Sequence, residues 1–338
     1  MTRLHLSRIA ALTALIAGAG VPAATIAAAP ASAATTTYTI TDLGSLGGGV
    51  TDATAINAAG QVTGESALNK KTGVFHAFLW SSGKMTDLGT LGGSFSNGLA
   101  INGSGEVGGF AAVRGDTSDA ALWTGKRPTA TDLGGGAIGD VHGINDSGQI
   151  VVGISGVSAG PPGALTFQPI PPGFIICAPV GINNNGQVLG NCEASNKVND
   201  WQGTAWTNGT PTVLPTLGGS LANSTTALPL ATAINNNGEV VGTAVTSTGA
   251  LDGFSFSNGT ITDLGPTFSP AAINDNGVIV GGQFIDSNGT LQNLNNLIPA
   301  GSGFQIRSAT GINDNGQIIA NAIDTATGQQ HALLLTPS

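Results

Sequence analysis

Ile273-Asn274-Asp275-Asn276-Gly277-Val278-Ile279 recurs, with small changes, along almost the whole chain. Its Ile-Asn-x-x-Gly core begins at Ile56, Ile101, Ile144, Ile182, Ile234, Ile273 and Ile312, at intervals of 45, 43, 38, 52, 39 and 39 residues. Repeats of that length are stacked supersecondary units, none of which buries its apolar face alone. The box itself has the chemistry of a hairpin turn. Asn and Asp tolerate turn conformations and bond their own backbone, and Gly supplies the positive φ. Small-apolar-Ile residues precede it, as in Ala53-Thr54-Ala55-Ile56, and β-branched residues follow it, as in Gln149-Ile150-Val151-Val152. Both flanks read as short strands.

A third strand is clearest in His76-Ala77-Phe78-Leu79-Trp80, echoed at Ala120 to Trp123, Gly203 to Trp206, Gly253 to Phe256 and His331 to Leu335. A fourth carries Thr-Asp-Leu-Gly, at Thr86 to Gly89, Thr131 to Gly134 and Thr262 to Gly265. Four strands in roughly 43 residues is the length of a β-propeller blade. Near the N-terminus, Thr36 to Gly44 is a fourth strand with no first three before it, while the seventh unit ends after its third strand. Closure of a ring explains this offset, because the early strand then completes the last blade and removes both sheet edges. The expectation is an all-β, seven-bladed β-propeller of four-stranded antiparallel blades, spanning residues 35–338.

Residues 1–34 stand apart. Arg3 and Arg8 precede a short apolar run, Ile9 to Ile16, and Ala31-Ser32-Ala33 forms an A-x-A cleavage signal, so the segment reads as a secretory peptide. The run is shorter than the ~20 residues of a membrane span. A secreted protein with no membrane insertion follows. Formal charge is −9, and the basic residues are scattered, which excludes a nucleic-acid surface.

Irregular spacing marks the variable regions. Pro161-Pro162 and Pro169 to Pro172 fall where the outer strand of blade 3 belongs, so that strand should be short or absent. Insertions are expected between second and third strands, at Glu65 to Phe75 in blade 1 and, longest, at Glu193 to Gln202 in blade 4. Cys177 and Cys192 flank the blade 4 box almost symmetrically. In a simple two-residue hairpin they face each other and an exported protein would join them; a bulge at Gly186 shifts them by one, and two buried thiols are the alternative.

His76 to Trp80 with Met85 to Gly89, Thr90-Leu91-Gly92-Gly93-Ser94, Ala100-Ile101-Asn102 and Gly105 resembles the repeat of the extracellular HAF-repeat proteins of bacteria. The resemblance spans residues 35–338, strictly in blades 1 and 2 and degenerately in blades 3, 4, 6 and 7. It implies a secreted repeat protein and supplies no catalytic residues.

Residues in the same place in successive blades, such as Asp42, Asp87, Asp132 and Asp263, the Asn57 series and Trp80, Trp123 and Trp206, read as turn formers and packing between blades. Residues that break the pattern are the site candidates. At the starts of first strands only Asp52, Asp140 and His142 titrate, at the channel end that carries the variable loops, where an acid–base pair could act. Strand parity puts His142 on the side of Ile144, which favours packing. Trp201 lies outside the repeat register and could stack on a sugar or a partner. Arg114-Gly115-Asp116 reads as a three-residue coincidence, and the sequon-like triplets at Asn208, Asn258 and Asn288 read as turns. No metal or cofactor is indicated. The functional expectation is a non-catalytic binding scaffold, monomeric, for an extracellular protein or glycan. The alternatives are a polysaccharide- or lactone-directed hydrolase or lyase at the channel mouth, and a structural envelope protein.

Overall fold

Each box folds as its chemistry dictates. In the first, the Asn57 amide donates to the Gln61 carbonyl at 3.0 Å and the Gly60 amide to the Asn57 carbonyl at 3.0 Å, a type I turn closed by a glycine bulge. The seven box glycines share φ values from +73° to +79°, the left-handed region that disfavours a Cβ. The computed structural model describes residues 36–71, 73–125, 128–134, 139–153, 156–195, 200–219 and 230–338. The segment read as a secretory peptide, residues 1–34, lies outside them.

Seven four-stranded antiparallel sheets form the ring. Strand β1 (Tyr38–Asp42) precedes blade 1, which is β2 (Thr51–Ile56), β3 (Val62–Ala67), β4 (Phe75–Ser81) and β5 (Lys84–Asp87). Blade 2 is β6 (Gly92–Ile101), β7 (Val107–Val113), β8 (Ser118–Thr124) and β9 (Thr129–Asp132). Blade 3 is β10 (Val141–Ile144), β11 (Ile150–Val152), β12 (Ser158–Gly160) and β13 (Thr166–Phe167). Blade 4 is β14 (Phe174–Ile182), β15 (Val188–Ala194), β16 (Trp201–Thr207) and β17 (Thr210–Val213). Blade 5 is β18 (Leu230–Ile234), β19 (Val240–Val245), β20 (Leu251–Ser257) and β21 (Thr260–Gly265). Blade 6 is β22 (Ala272–Ile273), β23 (Ile279–Gly281), β24 (Phe284–Ser287) and β25 (Thr290–Asn293). Blade 7 is β26 (Phe304–Ile312), β27 (Ile318–Asp324) and β28 (Gln330–Pro337), and β1 is its outer strand.

The closing pairing runs from Tyr38 opposite Pro337 to Asp42 opposite Leu333. It is extended by the Leu43 amide on the Ala332 carbonyl at 3.0 Å and the Ser338 amide on the Thr37 carbonyl at 2.9 Å. Tyr38 and Leu43 are buried there, and His331 Nδ1 meets Asp42 Oδ2 at 2.8 Å. The repeated aspartates are turn formers as read. Asp42, Asp87, Asp132 and Asp263 accept from the amides of Gly44, Gly89, Gly134 and Gly265 at 2.7–2.9 Å. Between blades, Val62, Phe78 and Trp80 pack with Ile319 and Leu334, and Val107 and Trp123 with Ala77 and Leu88.

The blade 3 outer strand is cut to two residues, Thr166–Phe167, as its prolines predict. Blade 4 departs from expectation. Glu193 pairs with Trp201, so β15 and β16 take the two ends of the stretch read as the longest insertion and leave residues 195–200 between them, and the extra length of this repeat lies in residues 214–229, between β17 and β18. Trp201 therefore opens a strand instead of sitting in a loop. Cys177 faces Cys192 and the two are joined, with Cα atoms 4.0 Å apart. The Asn183 amide bonds the Gln187 carbonyl, so the turn does carry the one-residue shift of a bulge. A second bulge between Pro179 and Gly181 reverses it, and the cysteines return to register.

Candidate functional site

The titratable pattern-breaking residues lie on two blades. Asp52, on β2, stands opposite Glu65 on β3 and accepts a hydrogen bond from Gln330 Nε2 of blade 7. Burial pushes the Asp52 carboxyl up, partly offset by the Gln330 bond. Glu65, read from the sequence as the start of an insertion but lying within β3, is pushed up first by burial and then by the Asp52 charge.

Asp140 and His142 form a separate pair on blade 3. Burial drives the His142 imidazole below its ordinary value, against the smaller opposite pull of Asp140. The parity argument fails at His142, because a bulge between Val141 and Gly143 leaves it without a partner opposite. The bulge recurs at Thr54, Leu99, Val180, Thr232 and Thr310. Thr232 Oγ1 donates to the Pro270 carbonyl at 2.9 Å and Thr310 Oγ1 to the Ala53 carbonyl at 2.8 Å, each in the next blade. His142 occupies this blade-linking position. Asp52 finds its partners in Glu65 and Gln330 and His142 its charge partner in Asp140, so the trio resolves into two local pairs.

Trp201, partly buried, lines a crevice of about 20 Å³ with Leu214, Leu230, Ala231 and Phe254. That is room for about one water.

An axial cavity lies at the opposite end, among the box turns. Its lowest tier is the seven box isoleucines. Above them the seven box asparagines, each buried, hydrogen-bond around the axis. Asn57 Nδ2 donates to the Asn102 carbonyl at 2.9 Å, Asn102 to Asn145 at 3.2 Å, and Asn145 to Asn183 at 3.2 Å. Asn183 donates to Asn235 at 2.9 Å, Asn235 to Asn274 at 3.0 Å, Asn274 to Asn313 at 3.0 Å, and Asn313 back to Asn57 at 3.1 Å. The circuit is closed.

The next residue of each box forms a second tier. The amides of Gly103, Asp146, Asn184, Asn236 and Asp275 donate to Oδ1 of Asp146, Asn184, Asn236, Asp275 and Asp314 in the following blade, at 2.6–2.9 Å. At Ala58 and Gly103 this tier has no side-chain oxygen. A third tier adds Asn185, Asn237, Asn276 and Asn315, whose Nδ2 atoms bond carbonyls of the next blade at 2.6–3.0 Å. The tiers enclose about 200 Å³, with Asp146, Asp275 and Asp314 at the wall and no Lys or Arg among the lining residues. Sequence reasoning passed over this cavity because its walls are repeated turn residues. The signal was the residue after each box Asn, which carries oxygen in five blades and not in blades 1 and 2.

Among the described residues no group of three or more His, Cys, Asp or Glu could hold a metal ion, and no helix is long and apolar enough to cross a membrane. No protein-family model matches the chain, and no curated protein matches it in sequence. Solved structures do match in shape. The β-propeller domain of the Trilobed protease from Pyrococcus furiosus is similar over 85% of this chain and 97% of its own, at 9% identity and a TM-score of 0.53. Acylaminoacyl peptidase from Pyrococcus horikoshii is similar over 84% of this chain, at 10% identity and a TM-score of 0.52, and TolB from Acinetobacter baumannii over 82%, at 12% and 0.46. The chain spans 51% of the length of that peptidase and 63% of that TolB. At such identities the likeness shows the propeller fold alone.

Proposed function

We propose that the protein is a non-catalytic extracellular binding scaffold of the HAF-repeat kind, exported by its N-terminal segment and presenting a rigid ring to a glycan or protein ligand. The observation that carries this reading is the axial cavity. It is concave and polar, built on hydrogen-bonded turns, and its three carboxylates, Asp146, Asp275 and Asp314, are each held by hydrogen bonds from the ring. Preformed concave sites with a few placed polar groups are where ligands bind.

The test is a titration of the secreted protein against polysaccharides and cell-wall fragments, with product analysis of every hit. Binding without turnover is expected. A second reading, a hydrolase or lyase, draws on the Asp52–Glu65 pair, two opposite carboxyls that burial pushes up, a perturbation that clusters at functional sites. Turnover lost in Glu65→Gln would replace the scaffold reading with that one. Export is checked by N-terminal sequencing of protein recovered outside the cell, which should begin near Ala34.

A further inference from the structure

We propose that the axial cavity at the box-turn end binds a primary ammonium carried on a small hydroxylated ligand, a hexosamine unit. This rests on the scaffold reading above and names the ligand chemistry of its site.

Three independent features converge. The first is shape: a cavity of about 200 Å³ open at one face, with an isoleucine floor and polar walls, suits one sugar-sized group better than an extended chain. The second is charge. Asp146, Asp275 and Asp314 line the cavity, with no cationic side chain among the lining residues.

Their bonds within the ring leave acceptor capacity. Asp275 takes the Asn236 amide and Nδ2, Asp146 takes the Gly103 amide and Asn184 Nδ2, and Asp314 takes the Asp275 amide. A carboxylate offers about four acceptor sites. An ammonium supplies three donors and a compact positive charge, and such charge-assisted bonds are the strong ones.

The third feature is the break in the second tier. Five amides of this tier find an oxygen on the next blade. The amides of Asp314 and Ala58 face positions 58 and 103, where Ala and Gly have none to offer. Two N–H donors on neighbouring blades, both on exposed residues, are thus open to a ligand oxygen in a cavity whose charged lining is carboxylate. A neutral sugar answers only the amides, and a bare alkylamine only the carboxylates. A hydroxylated amine answers both.

The test is calorimetric titration of the full secreted chain with glucosamine, glucose, N-acetylglucosamine, methylamine, calcium chloride and a short chitosan oligomer. Glucosamine should bind at least about tenfold more tightly than glucose, N-acetylglucosamine or methylamine, the scale of one charge-assisted hydrogen bond. Oligomer binding as tight as glucosamine would make the source a glycan end, and weaker oligomer binding a free sugar; either supports the site. Asp314→Asn places there the residue that blades 4 and 5 carry at Asn184 and Asn236, so the ring is retained, and affinity should fall by about tenfold.

Ala58→Asn supplies the missing oxygen to the Asp314 amide. It should leave the melting temperature equal or higher and abolish binding. The proposal is overturned if glucosamine binds no better than glucose, if calcium saturates the site and glucosamine does not, or if both variants bind as the parent does. A panel ligand that binds and ignores both variants overturns this assignment while the scaffold reading stands. Absence of binding by every panel member overturns this assignment, and the scaffold reading falls with it only if the polysaccharide and cell-wall titration is empty as well.

Discussion

The asparagine circuit can be tested at one link. Asn183→Ala removes four hydrogen bonds: Nδ2 to the Asn235 carbonyl at 2.9 Å, Nδ2 to Gln187 Oε1 at 2.8 Å, and the Asn185 and Gln187 amides to Oδ1 at 3.1 and 2.9 Å. Each contributes about 1 kcal/mol net. The Asn185 and Gln187 amides are near solvent and recover part of theirs from water, whereas the Asn235 carbonyl is buried and does not, so a net loss of about 3 kcal/mol is expected. The folded unit runs from Thr36 to Ser338, and at about 2 cal/mol/K per residue its unfolding entropy is about 0.6 kcal/mol/K. The melting temperature should therefore fall by about 5 °C. Asn185→Ala, which loses one exposed bond to the Asn236 carbonyl, is the control and should shift it by about 1 °C or less. Differential scanning calorimetry reads both. Equal shifts in the two variants would refute the claim that the circuit, rather than the turn alone, holds the inner strands.

Deletion of residues 36–44 exposes the edge of β28 and removes the buried Tyr38 and Leu43. At about 2 kcal/mol for each side chain, plus the lost ladder bonds, it should lower the melting temperature by more than the Asn183 variant does; an unchanged melting curve would contradict the shared blade. Replacing Cys177 and Cys192 together by Ala should cost up to about 3 kcal/mol, the scale for a closed loop of 15 residues, read as a lower denaturation midpoint in urea. Protonation offers a further check. The His142 imidazole is depressed in the fold, so its contribution to stability is present above the unfolded value of about 6.5 and is lost as pH falls through the lower folded value. His142→Val, which installs the blade 4 residue Val180, should flatten the melting profile there. Asp52 and Glu65 are raised, so their ionisation in the fold is a penalty that disappears as pH falls toward the ordinary carboxylate range. Glu65→Gln should raise the melting temperature at neutral pH and leave it unchanged in acid.

Seven blades were legible because the box is local chemistry: Asn, two turn residues and Gly dictate a hairpin wherever they fall, as Gly60 and Gly316 show. The closing strand was legible because Tyr38 to Gly44 has the Thr-Asp-Leu-Gly of a fourth strand with nothing to pair with nearby. What lay out of reach came from pairing across strands. Glu193 and Trp201 are polar and aromatic residues flanking a loop-like stretch, yet they face each other, so sequence placed the long connection in the wrong half of the repeat. The bulge at His142 leaves no residue signature, since Thr, Leu and Val occupy the same position in other blades. Cys177 and Cys192 meet because two one-residue shifts cancel, which a count of residues reproduces without containing either.

The two ends of the ring are held differently, and this bears on where change is tolerated. At the box end each inner strand is tied to its neighbour by the buried asparagine, and two residues before the box isoleucine Thr232 and Thr310 add ties through their hydroxyls. Lengthening a box turn would displace an asparagine that both donates to one blade and receives from another, so a single insertion breaks two links of the circuit. Among the described residues, the connections at the other end carry no such circuit. Residues 214–229 extend one of them, between β17 and β18, while Asn183 and Asn235 on either side keep their 2.9 Å bond. Sequence variation is therefore cheap at the loop end and costly at the box asparagines, and substitution at Ala58 or Gly103, where the second tier is open, is a change at the box end that leaves the asparagine circuit whole.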